Sequence, residues 1–160
     1  MSYPIMKKIT EADWDRLIKE LRYDEDVVYA KKIFWNKSDN EIMDTFESGF
    51  AFTERSEELL YMPAELFNYY YHYFPEFVIR GNYDRLDTPS VANSFIQLLE
   101  EKLEDHSFHY EEPLVLANNA LDFILDNIDR FNTDPGIYGD FLPRIKALKH
   151  SIQHYPIARH

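Results

Sequence analysis

The sequence predicts an all-α fold of six or seven helices, arranged as one domain that spans residues 1–160. Helix-start signals recur along the chain, and apolar residues follow them at intervals of three and four positions. Only four glycines occur, at positions 49, 81, 136 and 139, and each falls at a predicted break between helices. No Asn-Gly or Asp-Gly pair marks a β-hairpin. These observations favour helices over strands.

The first helices are predicted from their N-terminal caps. Thr10 and Asp13 form a capping box in front of an apolar stripe. The stripe consists of Trp14, Leu17, Ile18 and Leu21. Asp24 is suited to cap residues 25–35, but that segment is rich enough in β-branched and aromatic residues for a strand to remain an alternative. Ser38 and Glu41 mark the start of a further helix, which is expected to stop at Gly49.

An aromatic segment follows, and the sequence predicts a central helix that begins near Pro63. On a helical wheel its apolar residues cluster on one side, which is typical of a buried face. The residues expected in the core are Leu66, Phe67, Tyr70, Tyr73, Phe74 and Phe77. Asn68, His72 and Glu76 fall on the opposite side, while Tyr69 and Tyr71 flank the buried face. Pro75 is expected to kink or restart the helix.

Part of this segment resembles a family of uncharacterised bacterial helical proteins with an F-x-P-E-A-F-x-Y-Y-L-P core. The resemblance covers residues 59–77 and is carried by Pro63, Glu65, Phe67, Tyr70 and Pro75. Two extra residues separate the motif from its second proline. The resemblance implies a bacterial helical protein and no particular activity.

Three longer helices are predicted in the second half of the chain. Thr88-Pro89 opens one that buries Ala92, Phe95, Ile96, Leu99 and Leu103, and Glu112-Pro113 opens another, with Leu114, Ala117, Leu121, Ile124, Leu125 and Ile128 on its stripe. Asp140 caps the last, which carries Phe141, Ile145, Leu148 and Ile152.

The composition restricts the classes of function. The chain contains no cysteine, which excludes thiol nucleophiles and Cys-type zinc sites and fits a cytoplasmic protein. No apolar run approaches the ~20 residues needed to cross a bilayer, so no membrane association is expected. The formal charge is −12 and is unevenly distributed: residues 1–140 carry −16 and residues 141–160 carry +4. An acidic body repels nucleic acid and attracts basic proteins.

Two acidic groups are the predicted partner-binding residues. Asp122, Asp126 and Asp129 follow one another at helical spacing, opposite the apolar stripe. The segment "TERSEE" supplies Glu54, Glu57 and Glu58. We expect these carboxylates to face solvent or a basic partner protein.

The sequence therefore predicts an acidic interaction protein without enzymatic activity or cofactor, in its most specific form an immunity protein that neutralises a bacterial nuclease toxin. Surplus carboxylate would match the cationic surface on which a nuclease holds nucleic acid. The alternative is a small helical metal-binding protein or enzyme that uses His106 and His109 in the segment "DHSFHYEE". Imidazole and carboxylate are suitable zinc or iron ligands, but the sequence identifies no further ligand, so no metal site is expected there.

Overall fold

Helices account for all regular secondary structure in residues 6–157, the part of the chain that the computed structural model describes. The α-helices are α1 (Glu11–Glu20), α2 (Glu25–Phe34), α3 (Asp39–Glu47), α4 (Ala51–Tyr61), α5 (Ala64–Tyr70), α6 (Tyr73–Arg80), α7 (Thr88–Glu104), α8 (Glu111–Asp126), α9 (Ile128–Phe131), α10 (Pro135–Tyr138) and α11 (Phe141–Gln153). A 3-10 turn, Arg85–Asp87, precedes α7. The all-α prediction is confirmed, but the helices outnumber the six or seven expected.

The additional helices have local causes. Helix α4 carries no sequence signal at its start, because Phe50 occupies the N-cap position and makes no side-chain capping bond. The predicted central helix is divided into α5 and α6. The helix predicted to continue past residue 126 instead ends at Asp126, and Ile128 begins the short α9.

The N-terminal caps form largely as the sequence indicates. The Thr10 hydroxyl accepts a hydrogen bond from the Asp13 backbone N–H, and the Asp13 carboxylate accepts one from the Thr10 N–H in return. Asp24 caps α2, so residues 25–34 are helical and the strand alternative for this segment is wrong. Leu21 lies beyond the last residue of α1 and is exposed, contrary to its expected place in the core.

The aromatic segment is core, as predicted, but it buries more than one face. Leu66, Phe67, Tyr70, Tyr73, Phe74 and Phe77 are all buried. Tyr71 and Asn68 are buried as well, although the helical wheel places them outside the apolar face. The wheel fails because α5 is enclosed on more than one side, with Phe95 of α7 and Phe108 of the α7–α8 loop packed against Tyr71.

The break between α5 and α6 lies at Tyr71 and His72, upstream of the proline that causes it. Pro75 has no N–H to donate to the Tyr71 carbonyl, so the α-helical pattern cannot continue there. The Phe74 N–H donates to this carbonyl instead, over 3.0 Å, which tightens the chain into a turn. Pro75 then lies in the first turn of α6, where its missing N–H is tolerated.

Helix α7 forms the centre of the molecule, with α4, α6, α9 and α11 packed against it. Helix α8 packs against α6 and α11. The last helix therefore lies across α7 and α8, anchored by the buried Phe141, Ile145 and Leu148 of its predicted stripe. Ile152, the last residue of that stripe, is only partly buried. Across residues 6–157, no helix is both long and apolar enough to span a bilayer.

Candidate protein-interaction face

The two acidic groups predicted from the sequence differ in their exposure and in their ion pairs. Asp122 and Asp126 lie on α8, but Asp129 belongs to α9, so the three carboxylates do not run down one continuous helix. Asp126 and Asp129 are exposed. Asp122 is only partly exposed and forms an ion pair with Lys149 of α11. The acidic row is therefore interrupted by α9 and partly neutralised by the basic C-terminal helix.

Glu58 is not a surface acid, contrary to expectation. Its side chain is 7% exposed and accepts two hydrogen bonds from Arg55, from Nε over 2.6 Å and from Nη2 over 2.8 Å. Burial raises the pKa of Glu58, although the Arg55 guanidinium opposes that shift. Arg55 also contacts Glu54 over 3.2 Å. Glu58 therefore holds an arginine inside the fold and is not accessible to a partner.

Glu54 and Glu57 are exposed, as expected, and they lie beside exposed tyrosines. Together with Asp26 of α2 they line a surface depression of about 200 Å³ between α2 and α4. The mostly buried Glu58 also borders it, together with two tyrosines: Tyr29, which is 47% exposed, and Tyr61, which is 54% exposed. Carboxylates and accessible aromatic rings thus meet on one surface.

The surface continues along α2 into a second depression of about 470 Å³. Asp26 and Tyr29 line both depressions, and the second adds Glu25 and Tyr23. Lys32 is the one basic residue among the residues that line either of them. We refer to Tyr23, Glu25, Asp26, Tyr29, Glu54, Glu57 and Tyr61 together as the acidic tyrosine face.

Backbone geometry at the end of α1 exposes Tyr23. Arg22 and Tyr23 adopt left-handed backbone conformations, with φ values of 55° and 60°. The N–H of Arg22 donates to the Lys19 carbonyl and that of Tyr23 to the Ile18 carbonyl, which is the Schellman pattern that ends a helix. The chain therefore turns sharply before α2, and the Tyr23 side chain is 66% exposed.

This face has the chemistry to bind a cation-rich surface. Glu25, Asp26 and Glu57 form no ion pair with any residue between 6 and 157, whereas Asp122 on the other acidic surface does. Tyrosine rings attract lysine and arginine side chains through their π faces, and tyrosine is enriched in protein interfaces. Sequence reasoning missed the three tyrosines for separate reasons. Tyr61 lies on α4, which the sequence does not predict as a helix, Tyr29 lies on α2, for which the sequence allows helix or strand, and Tyr23 lies in the turn between α1 and α2.

The α7–α8 loop, which contains the predicted histidines, is held by structural contacts. Asn68 donates to the Ser107 carbonyl over 2.8 Å and accepts from the His109 N–H over 3.0 Å. The Phe108 N–H donates to the Tyr155 hydroxyl, and the Phe108 ring is buried. The loop therefore joins α5 to the segment that follows α11.

The two histidines of this loop have separate surroundings. His106 is exposed, adopts a left-handed conformation at the end of α7, and lines a cleft with His150 and His154. His109 is exposed but does not line that cleft. Within residues 6–157, no group of three or more histidine, aspartate or glutamate side chains is arranged to hold a metal ion.

The comparisons with known proteins assign no family to this chain. No protein-family model matches it, and no curated protein and no solved structure is significantly similar to it. The resemblance of residues 59–77 to a bacterial helical family therefore stays a prediction.

Proposed function

We propose that this protein is an acidic interaction protein that binds a basic partner protein through the acidic tyrosine face. The observation that carries the proposal is the grouping of Tyr23, Tyr29 and Tyr61, each about half exposed or more, with acidic side chains. Of these acids, Glu25, Asp26 and Glu57 have no ion-pair partner within residues 6–157, while Glu54 pairs with Arg55. Exposed aromatic rings supply contact area, and free carboxylates supply charge complementarity and fast association.

The most specific form of this proposal is an immunity protein that covers a bacterial nuclease toxin. A nuclease presents a cationic surface that holds the phosphate groups of its substrate. A protein of net charge −12 approaches such a surface rapidly, and the acidic tyrosine face would then occupy it. The alternative, a metal-binding function of His106 and His109, has no structural observation in its favour.

The test compares two double charge reversals that alter the net charge equally. Glu54→Lys/Glu57→Lys changes the acidic tyrosine face, whereas Asp126→Lys/Asp129→Lys changes the surface around the end of α8. Binding to a candidate basic toxin, chosen from the products of neighbouring genes, would be measured by calorimetry across a salt series. We expect the first pair to weaken binding strongly and to reduce its salt dependence, and the second pair to have only a small long-range effect.

A tyrosine variant distinguishes the contribution of aromatic contacts to binding from that of charge. Tyr29→Ala/Tyr61→Ala leaves the net charge unchanged and removes rings that are already about half exposed, so the fold should persist. We expect a loss of about 2 kcal/mol or more in binding free energy, the range of interface hot spots. Equal effects of the two charge reversals, together with an unchanged affinity in the tyrosine variant, would show that the face does not bind the partner.

A further inference from the structure

A groove lies between α8 and α11 and shares no lining residue with the acidic tyrosine face. Its volume is about 760 Å³, and the segment after α11 contributes Tyr155 and Ile157 to its lining. Pockets for small organic ligands commonly have volumes of roughly 300–1,000 Å³. The groove is thus of a suitable size for one small molecule.

The walls of the groove combine aliphatic side chains with polar ones, among them Asn118 and Gln153. Leu114, Val115 and Leu125 line it from α8, and Ile152 lines it from α11. Val115 is 48% exposed, although it is an apolar residue on a long helix packed into the core. The aliphatic part of this lining suits an alkyl chain, which gains affinity by leaving water without requiring hydrogen bonds.

Cationic groups lie beside these walls, in contrast to the acidic remainder of the molecule. The two lysines Lys146 and Lys149, both on α11, line the groove together with the imidazole of His150, and Glu111 is the one acid among its lining residues. Lys149 already pairs with Asp122 and donates to Asn118. Lys146 is exposed and makes no ion pair within residues 6–157, so its ammonium group is available to an anion.

We propose that this groove binds one free long-chain carboxylate, with the alkyl chain between α8 and α11 and the carboxylate against Lys146. An anionic head is favoured because two lysines and a single glutamate line the groove, although the whole protein carries −12. An aliphatic tail is favoured because Leu114, Val115, Leu125 and Ile152 form the aliphatic part of the walls. This site is independent of the proposed partner-binding function.

The test measures binding of octanoate, decanoate and laurate to the full chain by calorimetry, below the concentrations at which these ligands form micelles. We expect one ligand per chain and an affinity that rises by up to about fourfold for each added methylene group, until the chain fills the groove. Dodecyltrimethylammonium has an alkyl tail of nearly the same length and the opposite charge. It should bind more weakly than laurate, although the net charge of the protein favours the cation.

Matched variants locate the site. Lys146→Glu should weaken laurate binding by about fivefold, because an exposed charge contact is lost and a repulsive one is introduced. Lys37→Glu makes the same change in net charge at an exposed position outside the groove and should leave the affinity nearly unchanged. Val115→Glu should abolish binding, whereas Leu86→Glu, at a residue that is 88% exposed outside the groove, should not.

Thermal unfolding and circular dichroism would confirm that each variant is folded before its affinity is interpreted. Three results would each overturn the proposal. They are an absence of saturable laurate binding, tighter binding of the cationic analogue, and equal weakening by Lys146→Glu and Lys37→Glu.

Discussion

Tyr70 and Tyr71 are neighbours in sequence, and both are buried, but their hydroxyl groups have different environments. The Tyr70 hydroxyl accepts a hydrogen bond from Trp14 Nε1 over 3.1 Å. The Tyr71 hydroxyl has no partner in the described structure and is enclosed by aromatic rings. Burial raises the pKa of both phenols, that of Tyr70 to about 12. Tyr71 thus retains a polar group that the fold does not satisfy.

We expect opposite effects from the same substitution at these two positions. Tyr71→Phe removes an unpaired buried hydroxyl and should leave the free energy of unfolding unchanged or raise it slightly. Tyr70→Phe leaves the Trp14 N–H buried without an acceptor and should lower it by about 1–3 kcal/mol. Denaturant unfolding of the two variants provides the comparison, each serving as the control for the other. A larger loss in Tyr71→Phe than in Tyr70→Phe would contradict this explanation.

Lys102 is a buried cation with few interactions that offset the lost hydration of its charge. Its ammonium group donates to the Met62 carbonyl over 3.4 Å and lies 4.6 Å from the centre of the Phe67 ring. Burial lowers the pKa of Lys102 below its usual 10.5, although Asp105 and Glu101 act in the opposite direction. The unfolded chain therefore binds more protons between the folded pKa and 10.5, and within that window the stability contributed by this residue rises with pH.

Lys102→Met should have a higher free energy of unfolding than the wild type near neutral pH, where the buried charge is fully present. This difference between the two proteins should shrink as the pH approaches 10.5. Lys31→Met is the control. The hydrogen bonds that the Lys31 ammonium group donates to Asp15 and Glu11 raise the pKa of Lys31, so the effect of Lys31→Met should remain constant through the same range. If the difference in free energy of unfolding between Lys102→Met and the wild type did not change with pH, the ammonium group of Lys102 would have to stay charged in the folded wild type.

At the scale of elements, α11 shows which interactions dock a helix onto the body. Ile145 and Leu148 are buried against α7 and α8. Arg144 binds Glu100 of α7 through two hydrogen bonds of 3.1 and 2.6 Å and donates to Asn93 over 3.3 Å. The Arg144 and Glu100 side chains are 26% and 39% exposed, so solvent weakens their attraction. Apolar burial should therefore dominate the docking of α11.

Two single variants test this expectation. Ile145→Ala should lower the free energy of unfolding by about 2–5 kcal/mol, because it opens a cavity under the helix. Arg144→Ala should lower it by about 1 kcal/mol or less, and that loss should diminish as salt is added. Chemical denaturation at low and high salt distinguishes the contribution of apolar burial from that of the ion pair. If Arg144→Ala were the more destabilising variant at both salt concentrations, the ion pair and not the apolar contact would hold α11.

For the molecule as a whole, the dominant electrostatic feature is self-repulsion. The net charge is −12, and exposed acids such as Glu57, Asp126 and Asp129 have no opposite charge close enough to form an ion pair within residues 6–157. Folding brings like charges closer together than they are in the extended chain, which destabilises the compact state. The ion pairs from α11 to Glu100 and Asp122 offset a part of that repulsion.

Added salt should therefore stabilise the protein. We expect the melting temperature to rise between about 0.05 and about 0.5 M sodium chloride, because the shorter screening length weakens the repulsion among surface carboxylates. Asp126→Asn/Asp129→Asn should show a smaller rise, since two repelling charges are absent. A melting temperature that falls with salt would mean that attractive ion pairs outweigh the repulsion.

The sequence alone determined the helical class, most helix starts and most of the core. Capping boxes, proline positions and apolar spacing act within a few residues, so Thr10, Asp24 and Asp140 mark helix starts that can be recognised without tertiary information. The missed helix α4 has no capping side chain, and the break at Tyr71 lies four residues before the proline that causes it.

The availability of each polar side chain was decided only by the tertiary structure. Glu58 and Glu57 are adjacent and look alike in sequence, but Arg55 draws one into the core while the other stays on the surface. Asp122 lies on the same helix as Asp126 but is paired with a lysine of α11, 27 positions away. The acidic tyrosine face and the groove beside Lys146 arise in the same way, from contacts between helices distant in sequence. Local periodicity specifies which side of a helix is apolar, whereas the neighbour that covers its polar side depends on how the helices pack.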